Sequence, residues 1–419
     1  MEKKAYIIVT SSVNYIGGAQ LYTIRRTKYL EDKGYDVYII TGDKKNIYYE
    51  ELKKSKILEY PFLNLYGGEN IFLRNYIKQL YWDLKKIKEQ YQNTTVECNS
   101  YELWFEKLLK ELNIDYKIYL LAEKPYFNSI NIDYYLKKLK NNEIIGVSDQ
   151  TLRISFGKYW NIQKYDNNYV NISFDIDEIK SDIERTKKFR LEKNRKIIRI
   201  ITVSRFDKTY IEELIISVIN ISNKYIEKQF ELILIGDSKN KEIKEKLIKK
   251  YRGTTNLKII FLGYINPLFR EIYTNSNLFV GMGTALINAV SFECISLVID
   301  PRSNKTCGFF AKDVSNFGYS KNDYVYELED KIEEFLNFSL EEKENIKKNM
   351  KKIYEKEYNF SENMKKLDNF IFRPGYKENI KIKVEIKEYI KFLLIKLRLF
   401  DSIKKIKNKI KPSKKFINI

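Results

Sequence analysis

Arg205 and Lys208 stand directly behind the apolar run Ile200–Val203, in the order V-S-R-F-D-K. Arginine offers a planar fork of donors and lysine a compact point charge, a pairing suited to a diphosphate. Further along, Gly281-Met282-Gly283-Thr284 interrupts the run that ends at Val280 and opens the helical spacing Ala285–Phe292. Glycines let the main chain approach a ligand, and Thr284 is placed to be the N-cap of that helix. The first amides of such a helix form an anion site. A buried strand–turn–helix unit without a ligand has the same local pattern, and two cations on a basic surface can simply be solvated. Local residues leave both pairs of alternatives open. The composition narrows the chemistry further, because the chain has no histidine. Ser-His-Asp and Cys-His catalysis, imidazole bases and histidine metal ligation are therefore excluded. Asp43, Glu97, Glu123, Asp237 and Asp300 all fall near expected strand ends, and no pair stands out as acid and base. Cys98, Cys294 and Cys307 lie far apart, which gives neither a disulfide framework nor a zinc site and fits a reducing compartment. No metal and no resident cofactor are expected.

The elements that must hold these residues form two alternating series, and a length of 419 residues suits two domains. Ala5–Ser12 reads as a buried strand, followed by a loop closing on Gly17-Gly18, a helix over Ala19–Lys33 ended by Gly34, and the strand Tyr35–Thr41. This is a Rossmann-like opening, although its glycines do not have the G-x-G-x-x-G spacing of a dinucleotide site. Further strands and helices follow to about residue 165. Polar, charged sequence over 166–195 marks a linker. The second series runs through Lys196–Val203, Ile211–Tyr225, Phe230–Ile235, Lys241–Tyr251, Leu257–Phe261, Leu268–Asn275 and Asn277–Ile299. The expected fold is α/β, two doubly wound Rossmann-like domains facing across a cleft. The domains are 1–165 and 196–350, with a closing helix at 351–375 and a basic tail at 376–419. Ligands in such sheets sit at the carboxyl ends of the strands. The loops Asn14–Gly18, Ser204–Lys208, Gly236–Ser238, Gly263-Tyr264 and Gly281–Thr284 all fall there, which favours the ligand reading of the glycine turn.

The order G-G-A-Q, V-S-R-F-D-K, L-I-G-D, F-L-G-Y and G-M-G-T-A-L resembles the GT-B glycosyltransferases, in particular the retaining enzymes of glycosyltransferase family 4. The resemblance covers residues 5–50 weakly and 196–300 more firmly. It implies two Rossmann-like domains, a nucleotide-sugar donor held mainly by the second, and transfer without a bound metal. Residue by residue, it implies that Arg205 and Lys208 neutralise the donor diphosphate, with Gly283, Thr284 and Ala285 at the phosphate and Gly17 and Gly18 in the first-domain loop near it. Gly263 and Tyr264 match the loop beside the base. Two glutamates eight positions apart are common in relatives, and the matching positions are Val280 and Asn288. Asn288 can hydrogen-bond a ribose hydroxyl, whereas Val280 has no polar group. Glu293 and Ile295 stand where relatives carry Gly and Pro.

Net charge is +20, and half of it sits in Lys377–Lys415, where 14 lysines and arginines face four acids. Ile382, Ile386, Ile390, Leu393, Leu394 and Leu397 make an apolar stripe among them. A basic amphipathic helix of this kind reads as an anionic-membrane binder, or as a final helix packed on the protein. Interleaved aromatics and a recognition fold are missing, so no specific nucleic acid is expected. No apolar run approaches the ~18 residues of a membrane span. The sequence therefore points to a cytoplasmic glycosyltransferase, peripheral on the inner membrane surface, acting on a glycan or lipid-linked acceptor in cell-surface polysaccharide synthesis. The alternative is a catalytically inactive protein of the same fold that binds a nucleotide, a glycan or a partner enzyme.

Overall fold

Runs such as Ala5–Val9 and Ile197–Val203 lack polar alternation, the pattern of parallel strands covered on both faces. In the computed structural model they are the central strands of two sheets. The structure describes residues 3–10, 13–14, 17–42, 44–45, 47, 49–60, 74–99, 103–121, 127, 132–160, 168–238, 241–300, 302–317 and 324–373. Two compact units divide the chain. One runs to Asn171 and resumes at Met364, and the other is Ile172–Asn363.

The first unit contains β1 (Lys4–Thr10), β2 (Tyr35–Thr41), β3 (Lys56–Glu59), β4 (Asn93–Cys98), β5 (Asp115–Leu120) and β6 (Ile144–Gly146). Their order in the sheet is β3-β2-β1-β4-β5-β6, every pair parallel. Helix Gly18–Asp32 makes the first crossover, as the spacing predicts. Ile7, Val9, Leu80, Leu84, Leu109, Ile118 and Leu139 meet in one core. That core also takes in charge. Arg26 and Glu97 are both fully buried and lie 3.2 Å apart, and Arg26 reaches Asp368 at 2.7 Å. Glu97 accepts further bonds from the Tyr6 and Tyr22 hydroxyls, both at 2.6 Å, and from the Asn99 amide at 2.7 Å. Burial pushes the Tyr6 and Tyr22 phenols well above their ordinary range, and the Glu97 carboxylate pushes them the same way. Glu97 is thus committed to internal partners, which removes it from the candidate acids.

The second unit contains β7 (Ile197–Val203), β8 (Gln229–Ile235), β9 (Leu257–Gly263), β10 (Leu278–Gly281), β11 (Ser296–Ile299) and β12 (Thr306–Phe309). The order is β12-β11-β10-β7-β8-β9, parallel except for β12 on β11. Ile200, Ile211, Leu232, Phe279, Leu286 and Leu297 share its core. Both sheets have the strand order of a doubly wound Rossmann sheet. The stretch read as a linker, 166–195, includes helix Ile183–Lys188, started by Asp182 accepting from the Arg185 amide at 2.8 Å. Ile179 and Leu191 anchor that stretch in the core of the second unit. The stretch read as a closing helix comprises the end of helix Leu340–Ile353, a π turn at Tyr354–Tyr358 and helix Phe360–Ile371. The basic tail, 376–419, lies outside the described residues, as do Asp43 and Glu123. Among the described residues no helix is long and apolar enough to cross a membrane.

Candidate functional site

The chain moves outward from β7 to β9 and then returns to β10 on the other side of β7. A parallel sheet opens a crevice at this reversal, outside the carboxyl ends of the two diverging strands. Here those strands are β7 and β10, paired with Ile200 against Leu278 and Ile201 against Phe279. Their register brings Ser204–Lys208 and Gly281–Thr284 out of the sheet side by side. The two stretches with the clearest chemistry in the sequence are therefore neighbours.

Each loop is fixed by its own bonds. The Ser204 amide donates to Ile235 at 2.9 Å, and Phe206 donates to Asp237 at 3.1 Å, tying the loop after β7 to the end of β8. Gly236 makes this approach possible. Its φ is 143°, and a Cβ placed there would lie 1.9 Å from the Ser204 carbonyl oxygen. Gly236 then donates to Gly263 at 2.8 Å, so the ends of β7, β8 and β9 form one continuous rim. Gly236 was legible in L-I-G-D as a loop glycine, but only the packed sheet shows the backbone against which it lies.

Arg205 is partly exposed and its Nε lies 3.2 Å from Asp207 Oδ1. Lys208 is half-buried. Burial lowers its pKa below the ordinary lysine value and nearby Arg205 lowers it further, against a smaller opposing pull from Asp207. Two like charges held close in partial burial favour an anion between or beside them. Asp207 went unremarked in the sequence, where it reads as one acid among many.

The glycine turn differs from expectation in its cap. Met282, in extended backbone, is the N-cap of helix Gly283–Ser291, and no side chain caps the helix. Thr284 lies inside the first turn, because Gly283, at φ 63°, already carries the chain into the helix. The Gly283 amide donates to the Phe317 carbonyl at 2.7 Å, which leaves Thr284 and Ala285 to present the next amides at the helix start. A Cβ on Gly283 would meet nothing within 4 Å, and the first turn carries no acid. The helix start is open, uncapped by any side chain, and positive in potential.

Asn288 lies four residues beyond Thr284, hence on the same helix face, and helical side chains lean toward the N-terminus. It is 5% exposed, and its Oδ1 has no hydrogen-bond partner. Val280 is fully buried in β10. Glu293 adopts φ 56° just past the helix end, where a left-handed residue is usually glycine. The backbone keeps that turn without its usual residue. Gly263, at φ 75°, ends β9 on the far side of β8, and half-buried Tyr264 follows it. Asp237 holds the Ser238 amide at 2.8 Å, and buried Asp300 holds the Arg302 guanidinium at 2.8–3.2 Å, so both acids serve loop structure. Gly17 and Gly18 belong to the first unit. Gly17 is the N-cap of helix Gly18–Asp32, again without a side-chain cap. Among the described residues no group of three or more His, Cys, Asp and Glu side chains could hold a metal ion.

Residues 183–353 match the family model of glycosyl transferases group 1. The match lies wholly inside the second unit and contains both sides of the crevice. No curated protein matches the sequence. Among solved structures, a glycosyltransferase from Rickettsia africae is similar at a TM-score of 0.66 and 16% identity, over 88% of this chain and 98% of that one. A point mutant of Staphylococcus aureus TarM, in complex with fondaparinux, alpha-GlcNAc-glycerol and UDP, is similar at 0.55 and 13% identity, over 89% and 100%. A trehalose-6-phosphate structure from E. coli bound with UDP-2-fluoro glucose is similar at 0.54 and 13% identity, over 89% and 100%. The fold is GT-B, with two Rossmann-like units, and the match to the glycosyl transferases group 1 model falls in the second.

Proposed function

We propose that the protein is a glycosyltransferase that takes a sugar from a nucleotide-sugar donor to a glycan or lipid-linked acceptor in cell-surface polysaccharide synthesis. The observation that carries this reading is the switch-point crevice. There a cationic loop lies beside an open helix start, inside the segment that matches glycosyl transferases group 1. In this assignment Arg205, Lys208 and the amides of Thr284 and Ala285 hold the donor diphosphate, with Gly283 keeping the approach clear. Asn288 Oδ1 accepts from a ribose hydroxyl, and Gly263 and Tyr264 flank the base.

The donor C1–O bond breaks as the acceptor oxygen bonds to C1, and the acceptor proton passes to an oxygen of the departing diphosphate. This retaining, family 4-like course needs no histidine, nucleophilic side chain, metal or cofactor. The protein orients both partners and stabilises the leaving charge, and one well-placed donor contributes about 3 kcal/mol to such a barrier.

Calorimetry with a panel of nucleoside diphosphates and nucleotide sugars tests the assignment. Arg205→Ala should weaken the bound nucleotide about 10- to 100-fold, as expected for a lost charge-assisted hydrogen bond. Absence of binding to every member of the panel overturns the reading. Buried Val280 favours a second one, a non-catalytic protein that binds a nucleotide, a glycan or a partner enzyme. Turnover of any nucleotide sugar that Arg205→Ala abolishes rejects it. The proposal places the protein in the cytoplasm, with the tail holding it to the inner membrane surface.

A further inference from the structure

Lys244 lies four positions into the first turns of helix Lys241–Lys250, which begins just beyond the carboxyl end of β8. Ile243 and Leu247 pack against the core, so Lys244 sits at the border of the buried face. A helical side chain leans toward its own N-terminus, and here that direction leads to the rim of the sheet. The Lys244 ammonium lies 3.3 Å from the point where a Cβ on Gly263 would stand. It is half-buried, and it makes no ion pair or hydrogen bond among the described residues. On the same helix Lys246 pairs with Glu242 and Lys250 with Glu212.

The rim links this ammonium to the crevice. Gly263 accepts from Gly236, and Gly236 packs on Ser204, next to Arg205. Arg205 follows β7 and Gly263 ends β9, two strand spacings away, about 10 Å at ~4.8 Å per spacing. A nucleotide whose diphosphate sits at Arg205 can therefore reach Gly263 with its base but not with its phosphates. An ammonium has three donors and no acceptor, so the group it meets must accept.

We infer that Lys244 reads the nucleobase of the donor through an ammonium–carbonyl hydrogen bond beside Gly263, and so selects a uracil- or guanine-type base over adenine. Adenine presents an amino donor where those bases present a carbonyl oxygen. The inference rests on the nucleotide-binding reading above and adds the class of base.

The test titrates the full-length protein, Lys244→Met and Lys244→Arg with UDP, GDP, ADP and inorganic pyrophosphate. Wild type should bind UDP or GDP at least tenfold more tightly than ADP. Lys244→Met should lose about tenfold toward the preferred nucleotide, bring its preference over ADP to within about threefold, and leave pyrophosphate unchanged. Lys244→Arg, which keeps donors and charge, should retain most of the preference. The ratio of nucleotide affinities is insensitive to a purely structural loss. Preference for ADP, an unchanged ratio in Lys244→Met, or an equal loss toward pyrophosphate overturns the role of Lys244 while leaving nucleotide binding in place. Failure of wild type to bind any of the four removes the nucleotide reading and this one with it.

Discussion

Two glycines at the crevice separate the stability of the rim from its capacity to bind. Gly236→Ala would place a Cβ 1.9 Å from the Ser204 carbonyl oxygen and 2.8 Å from its carbon, both main-chain atoms of the loop that carries Arg205. An alanine at positive φ costs about 1 kcal/mol, and forcing two packed backbones apart adds about 1–3 kcal/mol. The expected loss is about 3 kcal/mol. For a unit of this size each kcal/mol lowers the transition by about 3 °C, so the melting point should fall by about 9 °C. Because Ser204 must move, Arg205 moves with it, and nucleotide affinity should fall at least tenfold below the melting range. Gly283→Ala also carries a positive-φ cost of about 1 kcal/mol, but its Cβ meets no atom within 4 Å. It should lower the melting point by only about 3 °C while still weakening nucleotide, since the added methyl stands where the phosphate approaches. Calorimetric melts and nucleotide titrations of the two variants give four numbers. Equal stability losses, or an unweakened Gly283→Ala, would refute the reasoning about the rim.

Three other perturbations follow from the geometry. Because burial and Arg205 hold the Lys208 pKa down, its charge is lost at a lower pH than that of a free lysine. Nucleotide affinity should decline as pH rises through that lowered pKa, and Lys208→Arg should hold affinity to higher pH; identical profiles in titrations across the alkaline range would rule out Lys208 as a ligand. In the apo protein the sign for stability is also fixed: a depressed lysine pKa penalises folding below it, and that penalty is relieved as pH climbs toward the unfolded value. Glu97→Ala leaves fully buried Arg26 with less compensation and should cost about 3–5 kcal/mol in denaturant unfolding, a result contradicted by a loss below about 1 kcal/mol. Truncation after Arg373 should abolish co-sedimentation with anionic vesicles at low salt, where the tail's cations act, and undiminished binding by the truncated protein would remove the membrane role.

The amino-acid sequence determined the architecture, because period and composition act locally. Largely apolar runs, a glycine-ended helix and the alternation of strand with helix specify buried parallel strands and crossovers without reference to distant residues. Tyr35–Thr41 and Ile197–Val203 fall where those patterns place them, the latter within one residue. The absence of histidine likewise constrained the chemistry before any geometry was known. Local pattern failed where a role depends on what lies across space. Thr284 has the residue type of an N-cap, but the left-handed backbone at Gly283 moved the cap to Met282. Ile179 and Leu191 are too few to mark a packed segment in charged sequence, and their shared core shows only after folding. Glu97 reads like any strand-end acid until Tyr6, Tyr22 and Arg26 converge on it from other elements. The candidate site divides in the same way. Arg205 and the glycine turn were each visible as possible anion binders. Their adjacency came from the pairing of β7 with β10, two strands about 80 residues apart whose order in the sheet is a long-range choice.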